Sequence, residues 1–202
     1  YLIALTALML IPSVSFANED ALYAPAPPAD SAFVRTINAT GNVDTVITIN
    51  NNALNTDNGS EIISDYGIFK EGAHKVAFAD KNEEINLDAG KYYTIAVAPD
   101  NKIKVYEDAL IENPTKATVY FCNFTEKATT LKSDEFEATL FENTDTLLCD
   151  SREMNAVDFD LKVVNGDVQI KDFPKVSLKR QMGTSIIVMN DETYLIENKV
   201  YQ

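Results

Sequence analysis

The sequence predicts an all-β protein made of two similar units in tandem. From residue 31 onward, short apolar segments are separated by Gly, Asp or Asn residues, a pattern typical of short strands joined by turns. No segment keeps a helical apolar period over several turns, so helix should be minor. The pattern restarts after residue 115, which indicates a duplicated β unit. A chance likeness between β-rich segments is the alternative.

The chain opens with the features of an export signal. The apolar run 1–11 is too short for a spanning helix, which needs about 20 residues. Ser15 and Ala17 follow it at the spacing of a signal-peptidase site. We interpret residues 1–17 as a truncated signal peptide, cleaved near Asn18 on export to a bacterial periplasm. A core strand or a membrane anchor is the alternative. No other apolar run is long enough to span a bilayer, so we expect no membrane span in the mature form.

Residues 18–30 form a proline-rich leader before the first unit. Pro25, Pro27 and Pro28 lie in it, and proline fixes φ and lacks an N–H donor. The leader is therefore predicted to be an extended connector. It could add a strand to the sheet edge of a partner or pack back on its own unit.

The composition places the first unit at residues 31–109 and the second at residues 116–202. Residues 110–115 join them, with Asn113-Pro114 as a turn signal. Segments of the second unit resemble segments of the first in the same order. The matched pairs are 32–40 with 117–125, 84–97 with 175–189, and 102–108 with 194–198.

Two details of these matches predict local structure. Gly183 aligns with Gly90, and each glycine is predicted to sit in a turn before a core strand, where a positive φ is needed. Asn38 and Asn123 begin Asn-X-Thr sequences at matching positions of the two units. In a bacterial periplasm such sequences need not mean glycosylation.

The two cysteines, Cys122 and Cys149, both lie in the second unit. In an oxidising compartment an even pair predicts one disulfide. Closing the loop between them, a separation of 27 residues, would stabilise the fold by roughly 3 kcal/mol. Two buried free thiols are the alternative. No CxxC spacing exists, so the sequence gives no sign of a redox or zinc site.

The charge of the chain excludes several classes of partner. The sequence has 17 Lys+Arg against 31 Asp+Glu, a net charge of −14, and a pI near 4.4. A nucleic-acid binder needs a basic face to displace counterions from phosphate, and an anionic membrane surface attracts basic segments. We therefore predict neither partner. Neutral or basic protein surfaces are the expected partners.

The sequence offers little catalytic or metal-binding machinery. His74 is the only histidine, and no GxSxG elbow accompanies it, so neither a nucleophile–base pair nor a zinc set is indicated. The Asn/Asp-rich loop 50–61 does not fit the EF-hand spacing. Glu83 and Glu84 are a weak glycosidase signal, and the absence of Trp weakens a lectin-like role. We predict no enzyme, no cofactor and no bound metal.

Three segments carry a family resemblance. They are DALY at 20–23 with SAFVRTIN at 31–38, LDAGKYYT at 87–94, and KATVYFCN at 116–123. Together they resemble the AlgF family, the periplasmic accessory proteins of alginate O-acetylation, and the likeness spans most of the mature chain. Loop 50–61 and both cysteines match no motif of that family.

The resemblance implies two β-sandwich domains joined by a short linker. It also implies a non-catalytic adaptor that is required for O-acetylation of mannuronate O2 and O3 during exopolysaccharide biosynthesis. The implied partners are a membrane-bound O-acyltransferase and periplasmic SGNH-type acetyltransferase-like proteins. The alternatives are a polysaccharide- or acyl-intermediate-binding module of another acetylation system, or an enzyme with an unrecognised site.

Partner-binding residues are predicted in the leader and the first strand. They are Leu22, Tyr23, Phe33 and Arg35. Packing of the leader on its own domain is the alternative for this segment.

Overall fold

The computed structural model describes residues 26–56, 60–109 and 113–199. Within these ranges the chain forms sixteen β-strands and no helix, which confirms the predicted all-β class. In the described part there is accordingly no helix that could cross a membrane. The predicted signal peptide, the leader up to residue 25 and residues 110–112 of the predicted linker lie outside the described residues.

Eight strands lie on each side of the predicted linker. Those of the first half are β1 (Ser31–Asn38), β2 (Thr48–Ile49), β3 (Asn52–Ala53), β4 (Gly67–Lys70), β5 (Gly72–Phe78), β6 (Lys81–Leu87), β7 (Tyr92–Val97) and β8 (Ile103–Asp108). Those of the second half are β9 (Lys116–Asn123), β10 (Thr129–Ser133), β11 (Ala138–Thr144), β12 (Leu148–Asn155), β13 (Asp158–Asn165), β14 (Val168–Ser177), β15 (Met182–Val188) and β16 (Thr193–Lys199).

Each half is a sandwich of two four-stranded sheets with the same topology. The inner sheets have the orders β4-β1-β7-β8 and β12-β9-β15-β16, and the outer sheets have the orders β3-β2-β5-β6 and β11-β10-β13-β14. Adding eight to the number of a strand in the first half gives the number of the equivalent strand in the second half. The parallel pair β1–β7 recurs as β9–β15. The two tandem β units predicted from the sequence are thus confirmed.

The four central strands of the inner sheets are buried on both faces. All eight residues of β1 and all six of β7 are buried, and β9 and β15 each have one partly exposed residue at the start. Parallel strands covered on both faces read as nearly continuous apolar runs, and segments such as YYTIAV show this pattern. One face of each inner sheet packs on its own outer sheet, and the other face packs on the other half.

The strand register corrects the alignment of Gly90 with Gly183. Gly90 (φ +74°) donates its N–H to the Ser31 carbonyl, and Gln181 (φ +60°) makes the matching bond to the Lys116 carbonyl. Gln181 therefore holds the turn position in the second half. Gly183 lies inside β15, where a Cβ atom would come within 2.8 Å of Tyr120 Cε2. A glycine at this point makes room for an aromatic ring rather than for a turn.

The asparagines of the two Asn-X-Thr sequences end β1 and β9 and hydrogen-bond to the loops that follow these strands. Asn38 Nδ2 donates to the carbonyls of Asn42 and Thr45, and its Oδ1 accepts from Thr40 N and Oγ1. Asn123 repeats this pattern in the second half with two carbonyls and with Thr125. Because both asparagines are buried and fully hydrogen-bonded, they serve the fold and are not accessible as glycan acceptors.

Cys122 and Cys149 are joined by a disulfide bond across β9 and β12. The two residues lie opposite each other in the antiparallel ladder, with their Cα atoms 4.1 Å apart. Both belong to the apolar cluster between the two halves. The bond therefore ties the outermost strand of the second inner sheet to its centre at the interface.

Candidate functional site: the interface between the two halves

The two inner sheets face each other across a mostly apolar interface. Successive side chains of a strand point to opposite faces, so Ala32 and Val34 of β1 enter the first sandwich, and Ile37 faces the second half. The interface cluster of buried residues is Ile37, Ala39, Ile63, Ala96, Cys122, Phe124, Ile187 and Ile196. This packing makes the two halves one continuous body.

One arginine lies in the middle of this interface. Arg35 of β1 is fully buried; its Nε donates to Thr94 Oγ1 at 2.7 Å and its Nη1 donates to Ser185 Oγ at 2.5 Å. Its guanidinium lies 5.1 Å from the ring centre of Tyr66 and 5.3 Å from that of Tyr120. The arginine therefore contacts both halves through hydrogen bonds and cation–π contacts.

Asp108 supplies the negative charge of the cluster. Its Oδ2 accepts from Tyr66 Oη and from Thr94 Oγ1, both at 2.6 Å, and lies 3.9 Å from Arg35 Nε. The threonine hydroxyl thus links the two charges.

Burial determines how the groups of this cluster ionise. Burial by itself lowers the pKa of Arg35, but Tyr66, Asp108 and Tyr120 raise it, and the net shift is upward, so the guanidinium stays charged. Burial raises the pKa of the Tyr66 and Tyr120 hydroxyls. Both tyrosines therefore stay neutral in the folded protein.

The cluster is built from equivalent positions of the two halves. The strand registers make Arg35 equivalent to Tyr120, Thr94 equivalent to Ser185 and Asp108 equivalent to Asn198. Ser185 accepts from Asn198 Nδ2 at 2.6 Å, as Asp108 accepts from Thr94. Equivalent residues meet at the centre, as they do at the twofold axis of a symmetric dimer.

A narrow crevice lies beside this cluster, between β8 and β12. It encloses about 110 Å³ and is lined by both cysteines, with Tyr106 and Asp108 on the side of the first half. Tyr106 Oη donates to the Leu147 carbonyl at 2.7 Å, which ties the two halves together at this edge. Burial raises the pKa of Tyr106 to about 12.

Comparison with known proteins identifies the family. A family model described as "Alginate O-acetyl transferase AlgF" matches residues 6–185. The chain belongs to the AlgF family.

Relatives in the AlgF family cover most of the chain. The protein named "Alginate biosynthesis protein AlgF" of Pseudomonas aeruginosa is 29% identical over 164 residues, which are 81% of this chain and 75% of that protein. The Pseudomonas fluorescens protein of the same name is 29% identical over 183 residues, 88% of this chain and 82% of the relative.

Two solved structures of the family were also matched. The N-terminal domain of AlgF from P. aeruginosa is 27% identical and covers 41% of this chain and 99% of that domain, with a TM-score of 0.34. The C-terminal domain is 20% identical and covers 43% of this chain and 99% of that domain, with a TM-score of 0.35.

The partner-binding residues predicted from the sequence are not on a described surface of this AlgF-family chain. Leu22 and Tyr23 lie outside the described residues. Phe33 is buried and stacks on Tyr92 at 4.4 Å between ring centres, and Arg35 is enclosed by both halves. Because its own outer sheet and the second half cover the two faces of β1, neither side chain is exposed to a partner: Phe33 packs with Tyr66 and Tyr92 of its own half, and Arg35 contacts both halves.

The residues that surround Arg35 were missed by sequence reasoning. An arginine inside an otherwise apolar strand was the one available signal, since a buried charge needs polar partners. Thr94 and Ser185 lie 59 and 150 positions from Arg35 along the chain. Strand pairing places Thr94 beside Arg35, and the packing of the two inner sheets brings Ser185 to it.

His74 has a structural role in the outer sheet of the first half. Its Nε2 donates to the Lys70 carbonyl at 2.7 Å, and its Nδ1 accepts from Asn50 Nδ2 at 2.8 Å. Among the residues that the structure describes, no group of three His, Cys, Asp or Glu side chains is placed to hold a metal ion.

Proposed function

We propose that this protein is a non-catalytic periplasmic adaptor required for O-acetylation of alginate at mannuronate O2 and O3. Its partners would be a membrane-bound O-acyltransferase and periplasmic SGNH-type acetyltransferase-like proteins. Membership of the AlgF family carries this proposal, since its relatives are named alginate biosynthesis proteins. The residues matched to the family model extend over both halves of the chain.

The chemistry of the interface supports binding rather than bond-making. The hydroxyls of Thr94 and Ser185 are buried and engaged with neighbouring side chains inside the protein, and Thr94 donates to the Asp108 carboxylate, which also faces Arg35. His74 uses both ring nitrogens within its own half. A catalytic nucleophile needs a base within hydrogen-bond reach and access to its substrate, and Thr94, which has the Asp108 carboxylate in reach, has no exposed surface.

The shape and charge of the molecule support an adaptor role. The two halves pack into one body whose outer sheets face opposite sides, so separate surfaces are available to more than one partner. The net charge of −14 favours basic protein surfaces and disfavours a polyanionic uronate polymer.

Acetyl transfer by the protein itself is the second candidate function, because the family model is described as an O-acetyl transferase. Binding of a polysaccharide or an acyl intermediate in another exopolysaccharide pathway is a third. In the described part of the chain, no arrangement of residues favours either of these two functions over the adaptor role.

The deciding experiment is complementation in an alginate-producing bacterium that lacks its own AlgF-family gene. The full chain is expected to restore acetyl esters on mannuronate O2 and O3, measured by NMR of the secreted polymer. Affinity purification should recover the membrane acyltransferase or an SGNH-type protein. Unacetylated polymer in the complemented strain would refute the proposal.

A separate assay distinguishes the adaptor from an enzyme. The purified protein is incubated with an activated acetyl ester and mannuronate oligomers, with the partner SGNH-type enzyme as a positive control. The adaptor role predicts that the acetyl group is released from the ester no faster than in the buffer blank. It also predicts that calorimetry detects no binding of the oligomers. Turnover above the blank would favour the second candidate function.

A further inference from the structure

A cleft crosses the boundary between the two halves, at the end of the interface where several loops meet. It encloses about 230 Å³. The first half contributes Ala39, Thr40, Gly41, Val43, Ile62 and Pro99, and the second half contributes Met189, Asn190, Asp191, Glu192 and Tyr194. Neither half forms this cleft alone, so it exists only when the two halves are packed together.

The floor of the cleft is apolar. Ile62, Met189 and Tyr194 are partly buried members of the interface cluster that remain accessible from the cleft. Val43, which also lines the cleft, has 54% of its surface exposed. A ligand seated here would cover this apolar surface.

The polar part of the lining is acidic. Asp191 and Glu192 are exposed carboxylates, and no Lys or Arg is among the described residues that line the cleft. The pKa of Tyr194 is raised by burial, by its hydrogen bond to Glu192 and by the charges of Asp191 and Glu61. The cleft therefore combines an apolar floor with a local excess of negative charge.

We infer that this cleft is a docking site for a basic segment of a partner protein, with a lysine or arginine side chain seated in it. The alkyl stem of such a side chain would lie on Ile62, Met189 and Val43, while its cationic head would reach Asp191 or Glu192. A carboxylate-bearing polymer does not suit this lining, because its charge has the same sign as the rim. The inference rests on the proposed adaptor function and adds the site and the chemistry of the partner.

The cleft is tested with the full chain and a synthetic peptide, Ac-Gly-Leu-Lys-Leu-Lys-Gly-NH2, as the probe. NMR titration should shift the amide signals of residues 39–43 and 189–194 more than those of the outer sheets. The same peptide with Glu in place of Lys should cause no such shifts. Shifts scattered over the whole acidic surface, or none at the cleft, would overturn the inference.

Charge reversal provides the matched control. The double variant D191K/E192K should weaken peptide binding by about tenfold, because it removes both rim carboxylates and adds like charge. The variant E83K/E84K changes the net charge equally at exposed positions of β6, a strand that does not line the cleft, and should leave the affinity within about twofold. Equal losses in both variants would show that binding follows net charge alone, and the inference would be wrong.

An apolar pair of variants tests the floor. Val43→Ser should weaken binding of the peptide, whereas Val105→Ser, at a similarly exposed position outside the cleft, should not. Complementation separates this inference from the proposed function. If D191K/E192K supports full acetylation and full recovery of partners, the cleft is not the docking site and the adaptor role still stands.

Discussion

At the residue scale, a single buried arginine determines the character of the interface. Arg35 has no exposed surface, and its contacts come from both halves. Its Nη2 has no hydrogen-bond partner among the described residues, and the nearest carboxylate, Asp108, is 3.9 Å from Nε. Burying this charge costs desolvation energy, which the contacts of Arg35 offset only in the arrangement of the halves that brings Ser185 and Tyr120 to it.

Removing Arg35 should destabilise the folded protein. We expect Arg35→Ala to lower the free energy of unfolding by about 3 kcal/mol, because Asp108 then stays buried without its cation. Arg35→Met should cost less, since methionine keeps most of the packing volume. Urea unfolding followed by tyrosine fluorescence measures both. Lys91→Ala, which removes the exposed ion pair with Glu107, is the control. An equal decrease in the free energy of unfolding in Lys91→Ala and in Arg35→Ala would contradict this account.

The buried tyrosines should make stability fall at alkaline pH. Tyrosine ionises near pH 10 when unfolded, while the pKa of Tyr106 is raised to about 12 and those of Tyr66 and Tyr120 are also raised. The unfolded state therefore loses these protons first, so the contribution of these tyrosines to the free energy of unfolding is constant below about pH 10 and decreases above it. Tyrosinate absorbance should show a late-ionising group among the nine tyrosines. Simultaneous titration of all of them, with the fold intact, would contradict this.

At the element scale, the chain repeats one order of eight strands and changes the details at each position. The turn before β7 uses Gly90, and the turn before β15 uses Gln181 in the same left-handed conformation. Gly183 is needed instead for the ring of Tyr120. The edge strand β12 is fastened to β9 by the disulfide, whereas the corresponding strand β4 has no such bond.

Removing the disulfide should loosen β12. The double variant Cys122→Ala/Cys149→Ala should lose roughly 3 kcal/mol of stability, the value expected for a loop of about this length. Hydrogen exchange of the β12 amides should become faster than in the unaltered protein, whereas that of the β4 amides should not change, because the disulfide fastens only β12 among these two edge strands. Unchanged exchange in β12 would show that the bond does not hold this strand.

At the scale of the whole molecule, the two halves form a contact like that of a symmetric dimer within one chain. The equivalent positions Arg35 and Tyr120 contact each other at the centre, and Arg35 also bonds to the equivalent hydroxyls of Thr94 and Ser185. The acidic cleft at the end of this interface depends on the same packing.

The packing predicts that the protein tumbles as one body. Nitrogen-15 relaxation should give a single correlation time, as expected for 22.4 kDa, for amides of the first and second halves alike. In Arg35→Ala the correlation times of the two halves should become shorter and differ, provided that both remain folded. Two short, independent correlation times in the unaltered protein would contradict the interface.

Much of the architecture could be predicted because it depends on local patterns. Period-2 and continuous apolar segments marked the strands, and their restart after residue 115 marked the second unit. The alignment of Gly90 with Gly183 was wrong because both halves carry a glycine near the same strand for different physical reasons. Phe33 and Arg35 were predicted to bind a partner, but both are buried. The sequence of one strand does not show which part of the protein covers its second face.

The all-β class, the tandem duplication and the acidic charge follow from strand propensity, repetition and composition, which are properties of the chain alone. The folded molecule was needed to show that β1 is covered on both faces, that Arg35 bonds to Thr94 and Ser185, and that a cleft lies between residues 39–43 and 189–194. The reason is physical: these contacts join positions far apart in the chain, and their register is set by the packing of whole sheets rather than by local preference.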